Sequence, residues 1–369
     1  MKFLRSLPFA LGLALALPAC GKAPPVPEVA FTGPGSIRQY LQAYLDAPGG
    51  PPSISLAVAV DGELVIAEAA GWADIAAKRA ATPETPYRTY SISKGLTAVA
   101  VAQAIERGEL DLEDDIRRYV PAFPEKRWPV RLRHLLTHTS GVRHYKPNAG
   151  EISSTTEYPT LADSLAVFAD DPLELEPGTG YRYTSFGFNL LTGALEGATG
   201  RSFGELLEER VFRPAGMASS SLAVAATPNP HLATPYWAPR LGRHRAIDEL
   251  PNVSGKYGSS GVVSTPTDLV KLFLALERHE LMQAETLAMM WTVPEPEIAP
   301  NQALGWDVVI EKGRRVVYRT GASTGYTGIV EYLPEQGVVG AVLINQNQYP
   351  GRVPILERVL EHYLELVGQ

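Results

Sequence analysis

Thr89-Tyr90-Ser91-Ile92-Ser93-Lys94-Gly95 opens an apolar helical pattern that continues to Glu106 and stops at Gly108. Ser91 and Lys94 are three residues apart, so they share one face of a helix's first turn. A serine hydroxyl is a poor nucleophile at neutral pH and needs a base. A lysine amine serves once desolvation or a neighbouring cation lowers its pKa. The helix N-terminus adds backbone dipoles around the serine. Alone, the pattern fits a capping serine beside a solvated lysine better than a catalytic pair, and the rest of the chain decides.

Two further stretches offer matching chemistry. Pro177-Gly178-Thr179-Gly180-Tyr181-Arg182-Tyr183-Thr184-Ser185 leads into another helix and can bring the Tyr183 phenol to Ser91, where cations would favour phenolate. Tyr318-Arg319-Thr320-Gly321-Ala322 ends a strand pattern and can present backbone N–H groups and a cation. Arg319 cannot act as a base, because a guanidinium stays protonated. It can offer a planar fork of donors to a substrate carboxylate or hold a charge near Tyr183; the bland alternative is an ion pair at a strand end. A rival serine lies in Gly321-Ala322-Ser323-Thr324-Gly325, a Gly-x-Ser-x-Gly elbow. That elbow needs a helix after it, and Tyr326–Tyr332 reads as a strand, so Ser323 is set aside. His134, His138 and His144 are spaced as zinc ligands can be, but no Glu follows as in His-Glu-x-x-His. They are read as structural, with no metal site and no cofactor.

Around these motifs, Ile54–Val60 and Glu63–Ala69 read as strands joined at Asp61-Gly62, a hairpin signal. Helical segments then dominate to about residue 250, among them Leu132–His138, Leu161–Phe168, Phe186–Glu196 and Phe203–Val211. Thr265-Pro266-Thr267-Asp268 is a helix start: cap, proline, acid. Strand patterns return at Trp306–Glu311, Arg315–Arg319, Gly328–Leu333 and Val338–Ile344, before a closing helix at Leu356–Leu366. Strands at both ends with helices between predict an α/β (α+β) protein. Its antiparallel sheet is built from both chain ends, covered by terminal helices, with a mostly helical domain inserted. The predicted catalytic domain is 36–369, with its α/β part over about 36–92 and 255–369 and its helical part over about 93–254.

Taken together, Ser91-x-x-Lys94, Tyr183-Thr184-Ser185 and Arg319-Thr320-Gly321 resemble the Ser-x-x-Lys, Tyr-x-Asn and Lys-Thr-Gly motifs of serine β-lactamases and penicillin-binding proteins. His134-Leu135-Leu136-Thr137-His138-Thr139-Ser140-Gly141 and Arg213-Pro214-Ala215-Gly216-Met217 are similar to segments of the class C branch, with its esterases, D-amino peptidases and β-lactamase-like proteases. The resemblance spans about residues 36–365. It implies a Ser91 acyl-enzyme with Lys94 and Tyr183 sharing the base, and an oxyanion hole from the N–H groups of Ser91 and Ala322. It also implies substrate binding by Ser185, Arg319, Thr320 and Gly321. Ser185 stands where the family usually has Asn, and Arg319 where β-lactamases have Lys and many esterases His; both argue against efficient β-lactam hydrolysis. The first expectation is an esterase or peptidase acting on a small ester, amide or peptide. A weak β-lactamase or D-alanyl carboxypeptidase comes second, and a catalytically silent binding protein third.

Composition agrees. The 369 residues are 45% hydrophobic and 20% charged, the range of an ordinary globular protein, with a net charge of −7 and no long Lys/Arg run. That argues against nucleic acid as a partner. At the N-terminus, Lys2 and Arg5 precede the apolar run Leu7–Leu17, read with the residues to 19 as a signal peptide. Leu17-Pro18-Ala19-Cys20 is similar to a bacterial lipoprotein box, and Cys20 is the single cysteine. Cys20 is the expected lipidation site, residues 20–35 a tether, and the membrane a partner through that lipid. The expected location is the bacterial cell envelope, as a periplasmic lipoprotein. With Gly21 rather than Asp after the cysteine, sorting patterns point to the outer membrane in a Gram-negative host.

Overall fold

The computed structural model describes residues 25–146, 148–223, 229–239 and 242–367. The first third carries helix α1 (Pro34–Asp46), strands β1 (Ser53–Val60), β2 (Glu63–Asp74), β3 (Arg79–Ala80) and β4 (Tyr87–Arg88), and helix α2 (Ser93–Glu106). Helices α3 (Leu132–Leu136), α4 (Leu161–Leu165), α5 (Ser185–Thr199) and α6 (Phe203–Leu207) follow, then strand β5 (Ser221–Leu222). The last third holds α7 (Tyr257–Ser260), β6 (Val262–Ser264), α8 (Pro266–Glu277), α9 (Ala284–Met290), β7 (Asp307–Glu311), β8 (Arg314–Ser323), β9 (Tyr326–Leu333), β10 (Val338–Ile344) and α10 (Arg352–Val367). Among the described residues, no helix is long and apolar enough to cross a membrane.

Strands β1–β3 and β7–β10 form one antiparallel sheet in the order β3-β2-β1-β10-β9-β8-β7. Its central seam joins the two chain ends, with Ile54 opposite Ile344 and Val60 opposite Val338. Both seam strands are apolar on both faces because helices cover both sides. The period of two divides their side chains between two cores. Ile54, Leu56, Val58 and Val342 pack with Tyr40 and Leu41 of α1 and Leu356 and Leu360 of α10. Ala57, Ala59, Ala341 and Leu343 join the core that holds Leu96 and Val99 of α2 and Phe273 of α8. The β1–β2 turn is as the sequence predicts: Asp61 (φ 49°) and Gly62 (φ 83°) both lie in the left-handed region that a two-residue hairpin of this kind requires.

Several elements differ from expectation. β8 does not stop at Arg319 but continues through Ser323, because residues 317–323 pair in register with β9. The Gly-x-Ser-x-Gly stretch is therefore a hairpin end, with Ser323 opposite Tyr326, and no helix follows it. The helix expected over Phe203–Val211 is α-helical only to Leu207, then widens into a π turn over Glu208–Phe212. Strands β4, β5 and β6 form a small second sheet, with β6 between the other two. At two or three residues each they are too short to carry a period.

Candidate active site

Residues Tyr90–Ile92 make a single 3₁₀ turn that runs directly into α2. Tyr90 adopts a left-handed φ of 45°, rare for a residue with a side chain. Its hydroxyl donates to the Thr324 carbonyl at 2.7 Å, which ties the turn to the β8–β9 hairpin. Ser91 is half-buried and Lys94 fully buried. The Lys94 ammonium donates to Ser91 Oγ at 3.1 Å, Ser185 Oγ at 3.1 Å and the Ser259 carbonyl at 3.0 Å. Three N–H donors thus meet three acceptors. On the other side, Ser91 Oγ and Tyr183 OH share a hydrogen bond of 2.8 Å. A continuous line runs from phenol to serine to amine, and Lys94 Nζ also lies 5.0 Å from the Tyr183 ring centre.

Burial pushes the Lys94 amine down to about 8, with help from the Arg319 charge and against the pull of Tyr183. Burial alone would push the Tyr183 phenol up, but Lys94 and Arg319 outweigh it and hold the phenol below its ordinary value. These are the conditions under which a lysine–tyrosine pair can pass a proton near neutral pH.

Arg319 does not present an open fork. It is 2% exposed. Nη1 pairs with Asp307 Oδ2 at 3.0 Å, Nη2 lies 3.2 Å from His138 Nε2, and Nε donates to the Ser91 carbonyl at 3.4 Å. The expected carboxylate-binding guanidinium is turned inward, 5.8 Å from the Tyr183 ring centre. Ser185 is likewise buried, its hydroxyl occupied by Lys94 rather than offered to a ligand. Gly321 is fixed by contact: a Cβ there would sit 1.9 Å from the Thr89 carbonyl, so only glycine lets β8 approach the serine turn.

The geometry of β8 also orients Ala322. Two-residue turns flank the strand, and the pairs that close them, Glu311–Arg314 and Ser323–Tyr326, exchange hydrogen bonds. Even-numbered residues of β8 therefore bond toward β7 and odd-numbered ones toward β9. β7 begins at Asp307, opposite Tyr318. Thr320 and Ala322 point their N–H groups the same way with no β7 residue opposite, and Ala322 is exposed.

The three histidines are engaged with backbone. His134 Nδ1 accepts from the Arg131 N–H at 3.3 Å, His138 Nδ1 from Thr184 at 3.2 Å and His144 Nδ1 from Ser185 at 3.2 Å. The last two hold the Tyr183–Ser185 segment in place, their rings 4.4 and 5.3 Å from Tyr183. Burial holds His138 well below the usual histidine range and His144 at about 4, so both rings are neutral. Sequence reasoning missed Asp307, which reaches Arg319 from the neighbouring strand, and Ser259, which contributes only a carbonyl. A backbone carbonyl leaves no residue-type signal. An Asp at a strand start has no spacing relation to Arg319.

The family model described as Beta-lactamase matches residues 37–364. The human serine beta-lactamase-like protein LACTB, described as mitochondrial, is 26% identical over 411 residues, covering 85% of this chain and 74% of that protein. A D-aminopeptidase of Brucella anthropi is 36% identical over 189 residues, covering 50% of this chain and 35% of that protein. The octameric penicillin-binding protein homologue from Pyrococcus abyssi superposes with a TM-score of 0.77 at 26% identity, over 90% of this chain and 77% of that one. The chain belongs to the beta-lactamase family and is a serine hydrolase.

Proposed function

We propose that the chain hydrolyses a small ester, amide or peptide through an acyl-enzyme on Ser91. The observation that carries this reading is the unbroken contact from Tyr183 OH through Ser91 Oγ to Lys94 Nζ, at 2.8 and 3.1 Å. Ser91 Oγ attacks the carbonyl carbon and its proton passes into the Lys94–Tyr183 pair. The carbonyl oxygen, now negative, lies between the N–H groups of Ser91 and Ala322. An oxyanion donor of this kind is typically worth about 2.7–4 kcal/mol. The pair returns the proton to the leaving alcohol or amine. Water then repeats the sequence on the Ser91 ester and frees the acid. Support for an amide or peptide substrate comes from the Brucella anthropi relative, named a D-aminopeptidase. Hydrolysis of nitrophenyl butyrate tests the reading: Ser91→Ala should abolish it, and substantial turnover by that variant would refute the assignment.

The same proposal places the protein in a bacterial envelope. Its support is the Leu17-Pro18-Ala19-Cys20 box behind an apolar run. Cys20 lies outside the described residues. Wild-type protein should incorporate labelled palmitate and fractionate with membranes, while Cys20→Ser should be released. An unlabelled wild-type Cys20 would count against the anchor.

A further inference from the structure

We propose that Asp307 is a specificity-determining residue. It keeps the Arg319 fork closed, so the site takes esters and amides that bear no free carboxylate near the scissile carbonyl. This rests on the Ser91 acyl-transfer reading above.

A guanidinium recognises a carboxylate by offering paired N–H donors in one plane. In this chain Asp307 already occupies Nη1 at 3.0 Å, and the other two nitrogens face the Ser91 carbonyl and His138. The Arg319 side chain is 3% exposed and that of Asp307 25%. An incoming carboxylate therefore meets the Asp307 carboxylate before it meets the arginine. To reach the fork it must break an ion pair whose cation is already out of water, and the displaced Asp307 would be left without its partner. The cation beside Ser91 offers no substitute, since Lys94 is fully buried with its donors on Ser91, Ser185 and Ser259. His138 is neutral, so it adds no charge. Arg182, next to Tyr183, is exposed, and a solvated charge there discriminates weakly.

A neutral acyl substrate meets none of these costs. It needs only Ser91, the Lys94–Tyr183 pair and the two N–H groups. Arg319 still serves it by holding its charge near the phenol, with Asp307 fixing the guanidinium in place. In such a site the interior cation orders the catalytic groups and is withheld from the ligand.

The test uses benzoylglycyl thioglycolate, whose leaving group ends in a carboxylate, and its methyl ester, which differs only there. Wild-type enzyme should favour the methyl ester in kcat/KM by about tenfold or more, the scale of one charged hydrogen bond. Asp307→Ala removes the occupant and Asp307→Asn removes its charge. In both, the preference should narrow or invert by about tenfold, chiefly through a lower KM for the carboxylate substrate. A merely structural role would depress both substrates alike and leave the ratio untouched. Wild-type preference for the carboxylate, or an unchanged ratio in both variants of an enzyme that still labels with a fluorophosphonate, overturns the Asp307 assignment alone. Absence of both turnover and label in the wild-type enzyme overturns the acyl-transfer reading with it.

Discussion

Lys94 and Lys256 make a natural experiment within one molecule. Both are buried, and burial pushes both amines down to about 8. Their partners differ. Lys94 donates to two hydroxyls and one carbonyl, and one of those hydroxyls is the half-buried Ser91. Lys256 donates to the Glu151 and Ile152 carbonyls at 2.8 and 3.1 Å and lies 5.3 Å from the Tyr145 ring centre. A carbonyl has no proton to surrender, so Lys256 staples a loop and can do little else. A lowered pKa therefore marks burial, and the partner set decides whether it marks chemistry.

The largest effect should separate the two lysines outright. Lys94→Met should lower kcat by roughly 10²–10⁴, the usual contribution of a positioned acid–base group. Lys256→Met should leave kcat near the wild-type value. Comparable losses in steady-state assays of both variants would show that the partner set does not distinguish the two lysines.

Tyr183→Phe should lower kcat/KM by roughly a hundredfold and also move the pH profile. Tyr183 raises the Lys94 pKa, so its removal should shift the acid limb of the residual activity to lower pH. A limb that stays put would show that the two groups are uncoupled.

Lys256 should instead appear in stability. Its folded pKa of about 8 lies below the ordinary 10.5, so between those values the unfolded chain holds the extra proton. The stability of wild type relative to Lys256→Met should then rise with pH across that window, by at most about 1.4 kcal/mol per pH unit. Urea unfolding at several pH values from 7 to 11 measures it, and a flat difference would mean that Lys256 is not held neutral by burial. The smallest effect is expected at Ser323, the end of β8, where Ser323→Ala should leave most ester hydrolysis intact.

What the sequence reveals follows the range of each interaction. Ser91 and Lys94 are legible because one helical turn links them, and Tyr183 because it precedes a helix with a matching motif. The seam strands are legible because they are short, largely apolar runs, and the Asp61-Gly62 turn because few residue pairs adopt its geometry. Asp307 is hidden because its partnership with Arg319 exists only through sheet register. The inward turn of Arg319 is hidden for the same reason: an arginine in this motif carries the same letter whether its fork is free or filled. Helix α9 and the three short strands β4, β5 and β6 escape because a few residues cannot establish a period.

Acylation should fall on Ser91 and on no other serine. Incubation with a fluorophosphonate followed by peptide mass spectrometry tests it most directly. A single adduct is expected on the peptide containing Ser91, retained in Ser323→Ala and lost in both Ser91→Ala and Lys94→Met. An adduct on Ser323, or undiminished labelling in Ser91→Ala, would contradict it.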